Sequence, residues 1–184
     1  MSDGRSVYTV AVNRKKRVTA RIGHAIRLVM GVLVLHGSAT GKAESIAELL
    51  AVEAEKRGLE FEVKCMSEVG SSLEDVVGKT LVAVSSTTGD GEQPEAACKL
   101  FRALNRLNKR PDLSGLRFAY LGLGDTNYTQ FCNGPKTMRA ALLDCGAQEF
   151  YAPGWADDGT GFVCSEYRHI SLHFESKIVG RGRK

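Results

Sequence analysis

Val29-Met30-Gly31-Val32-Leu33-Val34-Leu35 runs directly into His36-Gly37-Ser38-Ala39-Thr40-Gly41 and then into Lys42-Ala43-Glu44-Ser45-Ile46. The first seven residues are a short apolar run rich in Val and Leu, the pattern of a strand buried on both faces of a parallel sheet. The next six are small and polar. Across residues 42–57 apolar side chains recur at helical spacing, at Ile46, Leu49, Leu50 and Ala54. Strand, small polar loop and amphipathic helix in immediate succession leave free main-chain amides at a helix N-terminus, where the dipole and the unpaired N–H groups favour a phosphate. Ser38, Ala39, Thr40, Gly41, Lys42 and Ala43 are therefore candidate phosphate-binding residues. A plain Ser/Thr helix cap is the simpler alternative for the same residues. A nucleoside-triphosphate loop needs four residues between its first Gly and Gly-Lys, followed by Ser or Thr to hold magnesium. Here three residues separate Gly37 from Gly41, and Ala43 follows Lys42, which argues against that chemistry.

Outward from this unit the pattern repeats. Residues 61–65 read as a modest strand and 81–85 as a stronger one, followed by a helix over 94–107 opened by Pro94. A strand over 117–121, a helix over 135–145 closed by Gly146, and a last short strand over 148–151 complete the series. Alternating strands and helices imply right-handed crossovers and a doubly wound parallel α/β sheet, with ligands bound beyond the carboxyl ends of the strands. The loops leaving those ends are residues 36–41, 86–93, 122–133 and 152–161.

These loops hold the distinctive residues. The second reads Ser86-Thr87-Thr88-Gly89-Asp90-Gly91-Glu92-Gln93, and the third opens with Gly122-Leu123-Gly124-Asp125-Thr126-Asn127-Tyr128. Gly122 and Gly124 lack the third glycine of a dinucleotide fingerprint. Together with Ser38-Ala39-Thr40-Gly41-Lys42-Ala43-Glu44, the three loops resemble, in order, the flavin-binding loops of flavodoxins and diflavin reductases. The resemblance implies a three-layer, five-stranded parallel sheet of order 2-1-3-4-5 that binds FMN. It assigns to the cofactor Ser38 through Ala43, then Ser86, Thr87, Thr88, Gly89, Asp90 and Gly91, then Leu123, Gly124, Asp125, Tyr128, Phe131, Cys132 and Asp157. Tyr128 would cover one ring face, while Thr88 stands where several relatives place a second aromatic. Glycines in the second loop let the main chain approach a flat ring and turn beneath it.

A finer resemblance, to the FMN domain of methionine synthase reductases, is carried by Ser85-Ser86-Thr87-Thr88-Gly89, Phe131-Cys132-Asn133-Gly134 and Ala156-Asp157-Asp158, and it covers residues 29–161. It implies an electron-transfer module that passes single electrons to cobalamin-dependent methionine synthase for reductive reactivation, with no catalytic acid–base pair and no metal site. FAD and NADPH would belong to a reductase half beyond the end of the matching region, so the chain reads as truncated and dependent on an outside donor. Asp90, Glu92, Asp157 and Asp158 would border the flavin and offer docking charge. Two alternatives remain open: the FMN module of another diflavin reductase or flavodoxin, and a truncated, non-catalytic form that acts by binding a partner.

At 184 residues, with 43% hydrophobic and 25% charged residues, the chain has the size and composition of one globular domain. Its net charge of +4 is unevenly spread. Residues 1–28 hold seven basic residues and one acidic, and residues 164–184 hold five and two, leaving 13 basic against 18 acidic between them. An acidic body argues against a nucleic-acid partner. The five cysteines form no Cys-x-x-Cys pair and read as reduced thiols. No apolar run approaches the ~20 residues of a membrane span, and a cytoplasmic location is expected. The basic segment 1–28 loosely resembles a mitochondrial transit peptide and otherwise reads as an extension ahead of Met30. After the domain at 29–161, residues 162–184 form a divergent tail. There Ile170, Leu172, Phe174, Ser176 and Ile178 alternate like a strand where the family has a final helix, which implies a domain of marginal stability.

Overall fold

The computed structural model describes residues 31–160, apart from 57, 58, 60, 70–72, 74, 75 and 107. The basic segment 1–28, the expected tail at 162–184 and Cys164 lie outside the described residues. The chain runs β1 (Val32–Gly37), α1 (Lys42–Glu55), β2 (Phe61–Cys65), β3 (Thr80–Ser86), α2 (Glu95–Leu104), β4 (Arg117–Gly124), α3 (Asn133–Asp144), β5 (Gln148–Glu149) and β6 (Gly154–Asp157). Every pairing is parallel, in the order β2-β1-β3-β4-β5, with β6 also against β4. This is the expected doubly wound sheet.

Strand alternation sorts the apolar residues into two layers. Leu33, Leu35, Leu81, Ala83, Phe118 and Tyr120 face α2 and α3, where Leu100, Leu104, Met138 and Leu142 meet them. Val32, Val34, Val82, Val84, Ala119 and Leu121 face the other way onto Ala43, Ile46, Ala47 and Leu50 of α1. Between β2 and β3 the described residues form a single 3-10 turn, Met66–Glu68, and Met66, Val69, Leu73 and Val76 fill the α2 side. The Tyr120 hydroxyl, fully buried, shares a 2.7 Å hydrogen bond with Ser85 Oγ, and burial pushes its titration well above the ordinary tyrosine range.

The far edge differs from the sequence reading, which makes residues 148–151 one strand and 152–161 a loop. The fifth ribbon is instead broken into β5 and β6, with Phe150 to Pro153 bulging between them. β4 also runs on through Leu123 and Gly124, both expected in a loop, and pairs Gly122 with Trp155 and Gly124 with Asp157. The absent side chain at Gly122 makes this possible, because a Cβ there would lie 2.6 Å from the Trp155 ring and 2.7 Å from Pro135 Cβ. Arg139 of α3 fastens β5 by two hydrogen bonds to the Glu149 carboxylate, of 2.7 and 2.6 Å, which hold its guanidinium above its usual pKa.

Candidate functional site

Parallel register brings the carboxyl ends of β1, β3, β4 and β6 side by side, Gly37 opposite Ser85, Ser86 opposite Leu123 and Gly124 opposite Asp157. The loop leaving β1 caps α1: Ser38 Oγ accepts the Ala43 amide at 3.2 Å, and Gly41 sits at φ 78 with its carbonyl bonded to the Ser45 amide. The other amides at the start of the helix have no intrahelical acceptor. Ala39 and Thr40 are exposed there. Lys42 Nζ reaches across to form an ion pair with Asp158, in the segment after β6.

The loop leaving β3 is a tight hairpin. Thr88 and Glu92 exchange main-chain hydrogen bonds of 3.1 and 2.8 Å around Gly89-Asp90-Gly91. Gly89 and Gly91 take φ of 51 and 105, and at Gly91 a Cβ would lie 2.7 Å from Gln130 Cβ, so the turn fits closely only as glycine. Several bonds moor this hairpin to its neighbours. The Thr87 amide donates to Leu123 O at 3.1 Å, Asn133 Nδ2 donates to Gly91 O at 2.8 Å, and Gln93 Nε2 donates to Thr137 Oγ1 at 3.0 Å. Thr87 Oγ1 and Gln93 Oε1 are buried without a hydrogen-bond partner among the described residues.

In the third loop the Asp125 carboxylate accepts the Asn127 amide at 2.8 Å. Asp157, at the end of β6, braces the same loop: it accepts the Thr126 hydroxyl at 2.7 Å, the Thr126 amide at 2.9 Å and the Gly159 amide at 3.0 Å. Those bonds, the Thr126 hydroxyl foremost, hold its pKa below the ordinary carboxylate value of 3.8. A carboxylate with a depressed native pKa stabilises the fold above its unfolded pKa, and the contribution fades as pH falls through the native value. Asp157→Asn is therefore expected to lower the melting temperature at neutral pH, and the gap to wild type to close as the pH drops below 3.8. Thermal melts across that range check this; a gap that persists in acid would refute the brace. Tyr128 projects from the loop with 67% of its surface exposed. Phe131 is half-buried, with Lys136 Nζ 5.2 Å from its ring centre and bonded to its carbonyl.

The structure thus gathers at one rim the residues picked from the sequence, but not all of their side chains face it. Leu123 packs into the α1 layer and offers the rim only its main chain. Cys132 takes a left-handed φ of 54 beneath Gly124, its Sγ 4.0 Å from Ala156 O, and burial pushes its thiol up to about 12. Ala43 is buried as well, and its amide already serves the cap. Gln93, Thr126 and Asn133 escaped the sequence reading as site residues. All three stand inside motifs quoted above, Gln93 at the end of the second loop, Thr126 in the third and Asn133 in Phe131–Gly134, but spacing and composition do not single them out there. Cys65, Cys98, Cys132 and Cys145 are free thiols, and no cluster of three or more His, Cys, Asp or Glu among the described residues could hold a metal ion.

Residues 34–167 match the protein family described as flavodoxin. The chain belongs to the flavodoxin family. A flavodoxin-family domain has FMN as its cofactor, and this rim fits it: a helix N-terminus suited to a phosphate, a close-packed glycine turn, an exposed tyrosine ring and a buried, unpartnered Thr87 hydroxyl. Among curated proteins, methionine synthase reductase of Bos taurus is 42% identical over 162 residues, 83% of this chain and 23% of that protein. The Homo sapiens protein of the same name is 39% identical over 78% of this chain and 22% of its own length. The sulfite reductase [NADPH] flavoprotein alpha-component of Mannheimia succiniciproducens is 35% identical over 70% of the chain and 21% of that protein. This flavodoxin-family domain therefore spans less than a quarter of the oxidoreductases that it matches. Among solved structures, a cysteine-to-alanine mutant of flavodoxin from Pseudomonas aeruginosa superposes with a TM-score of 0.70 at 26% identity, covering 82% of this chain and all of that one. The Streptococcus pneumoniae TIGR4 flavodoxin, at 22% identity and a TM-score of 0.67, covers 82% of this chain and 99% of its own and shares the fold. No helix among the described residues is long and apolar enough to cross a membrane.

Proposed function

We propose that this flavodoxin-family domain is the FMN-binding electron-transfer module of a methionine synthase reductase-like flavoprotein. The observation that carries the reading is the convergence of four strand ends on one rim, with Tyr128 exposed between them. Ser38 through Lys42 hold the phosphate through helix-terminal amides and hydroxyls, with Ala43 closing the cap behind them. Residues 86–91 and 123–125 approach the ring through main chain, Tyr128 covers one face, and Thr88 leaves the other less covered. Bound FMN supplies one-electron chemistry; the protein supplies orientation and electrostatics. Asp90, Glu92, Asp125, Asp157 and Asp158 disfavour extra negative charge at the ring and offer a docking surface to a cationic partner.

On this reading the partner is cobalamin-dependent methionine synthase, and electrons come from an FAD- and NADPH-binding reductase half. The free thiols support a reducing, cytoplasmic setting. The test is to titrate the purified chain with FMN, reduce it with a chemical donor, and mix it with oxidised, cobalamin-loaded methionine synthase. The expected result is saturable uptake of one FMN and reoxidation by the partner. A folded protein that takes up no FMN at micromolar concentration overturns the reading. The similarity to a sulfite reductase flavoprotein favours one rival, an FMN module serving a different acceptor, and reoxidation by sulfite reductase haemoprotein alone would establish it.

A further inference from the structure

The rim that receives the cofactor is acidic. Residues 36–41, 86–93, 122–133 and 152–160 contain Asp90, Glu92, Asp125, Asp157 and Asp158 and no Lys or Arg. A phosphate approaching it meets like charge. Lys42, the first residue of α1, is the cation at the mouth of the phosphate loop, and its ammonium is held by Asp158. Lys136, on α3, is engaged elsewhere, bonded to Phe131 O and set over the rings of Phe131 and Trp155. The side chains of Lys42 and Asp158 are 53% and 47% exposed, so burial does not lock the pair.

We propose that Lys42 exchanges partners when FMN binds. Without FMN its charge is neutralised by Asp158; with FMN it turns to the phosphate, and Asp158 is released beside Asp157 at the rim. The inference rests on the reading that the first loop holds the phosphate. A phosphate ester carries more charge than a carboxylate and three acceptor oxygens, and the α1 N-terminal amides add donors for it. An exposed Lys–Asp pair is weak, so the exchange favours the phosphate. Lys42 thus adds to the preference for FMN over its dephosphorylated form that the helix amides give, and Asp158 is an internal competitor for that added share.

The test titrates FMN and riboflavin against wild type, Lys42→Gln, Asp158→Asn and the double variant, following flavin fluorescence, with circular dichroism to confirm the fold. Lys42→Gln should weaken FMN about tenfold and leave riboflavin unchanged. Asp158→Asn should tighten FMN about threefold, and should do so only when Lys42 is present. Lys42→Arg, which keeps the charge, should stay near wild type. Equal weakening of both flavins by Lys42→Gln would assign Lys42 a structural role and overturn the proposal. So would tightening by Asp158→Asn that survives in the double variant, since it would reflect removal of a charge and not release of a partner. A wild type that binds neither flavin would instead defeat the assignment of the rim to FMN.

Discussion

Phe118→Ala is expected to destabilise the domain by ~3–5 kcal/mol, the range for deleting a fully buried aromatic side chain. Phe118 is 0% exposed and lies near the start of β4, between Leu81 and Glu149 in the register. The loss is a large part of the ~5–15 kcal/mol that holds a typical domain together, and should lower the melting temperature by on the order of 10 °C. The same substitution should hardly alter FMN affinity measured well below the transition, because the cofactor rim lies at the opposite end of β4, at Gly124. Thermal melts and flavin titrations on one preparation check both halves. A variant that melts like wild type would mean that the surrounding leucines close the space.

Tyr128→Ala is expected to reverse that pattern. The ring is largely exposed and reaches away from the core, so the melting temperature without FMN should be almost unchanged. If its face covers the isoalloxazine, stacking comparable to that of a base on an aromatic side chain is lost, ~1–3 kcal/mol, or roughly 5- to 150-fold in affinity. FMN and riboflavin should weaken alike, since the contact is with the ring. That sets the variant apart from Lys42→Gln, which acts on the phosphate alone. Undiminished binding of both flavins by Tyr128→Ala would remove Tyr128 from the site.

The sheet and the three loops were legible because a strand buried on both faces leaves an apolar run, and Val32 to Leu35 and Leu81 to Val84 are such runs. What the sequence concealed follows from physics that acts between distant segments. Gly122 and Gly124 read as loop, since glycine is a poor strand former, yet they continue β4 because Trp155, Phe131 and Cys132 occupy the space that side chains would take. Gly154–Asp157 has too little alternation to read as a strand, and only its pairing with β4 makes it one. α3 begins at Asn133, two residues before Pro135, because Cys132 turns the chain through a left-handed conformation that composition does not signal. Gln93 looked like an ordinary polar residue ahead of a helix; its amide reaches a carbonyl 41 positions away, at Gly134.

The mooring of the rim is lopsided. The third loop is joined to the second by the Thr87 to Leu123 main-chain bond and to the last by the β4 and β6 ladder, with Asp157 also bonded to Thr126. Parting them means tearing sheet. The first loop meets the last through two flexible side chains, Lys42 and Asp158. Side-chain contacts part without breaking a strand pairing, so the first loop is free to shift against the last at less cost than the third can shift against either of its neighbours.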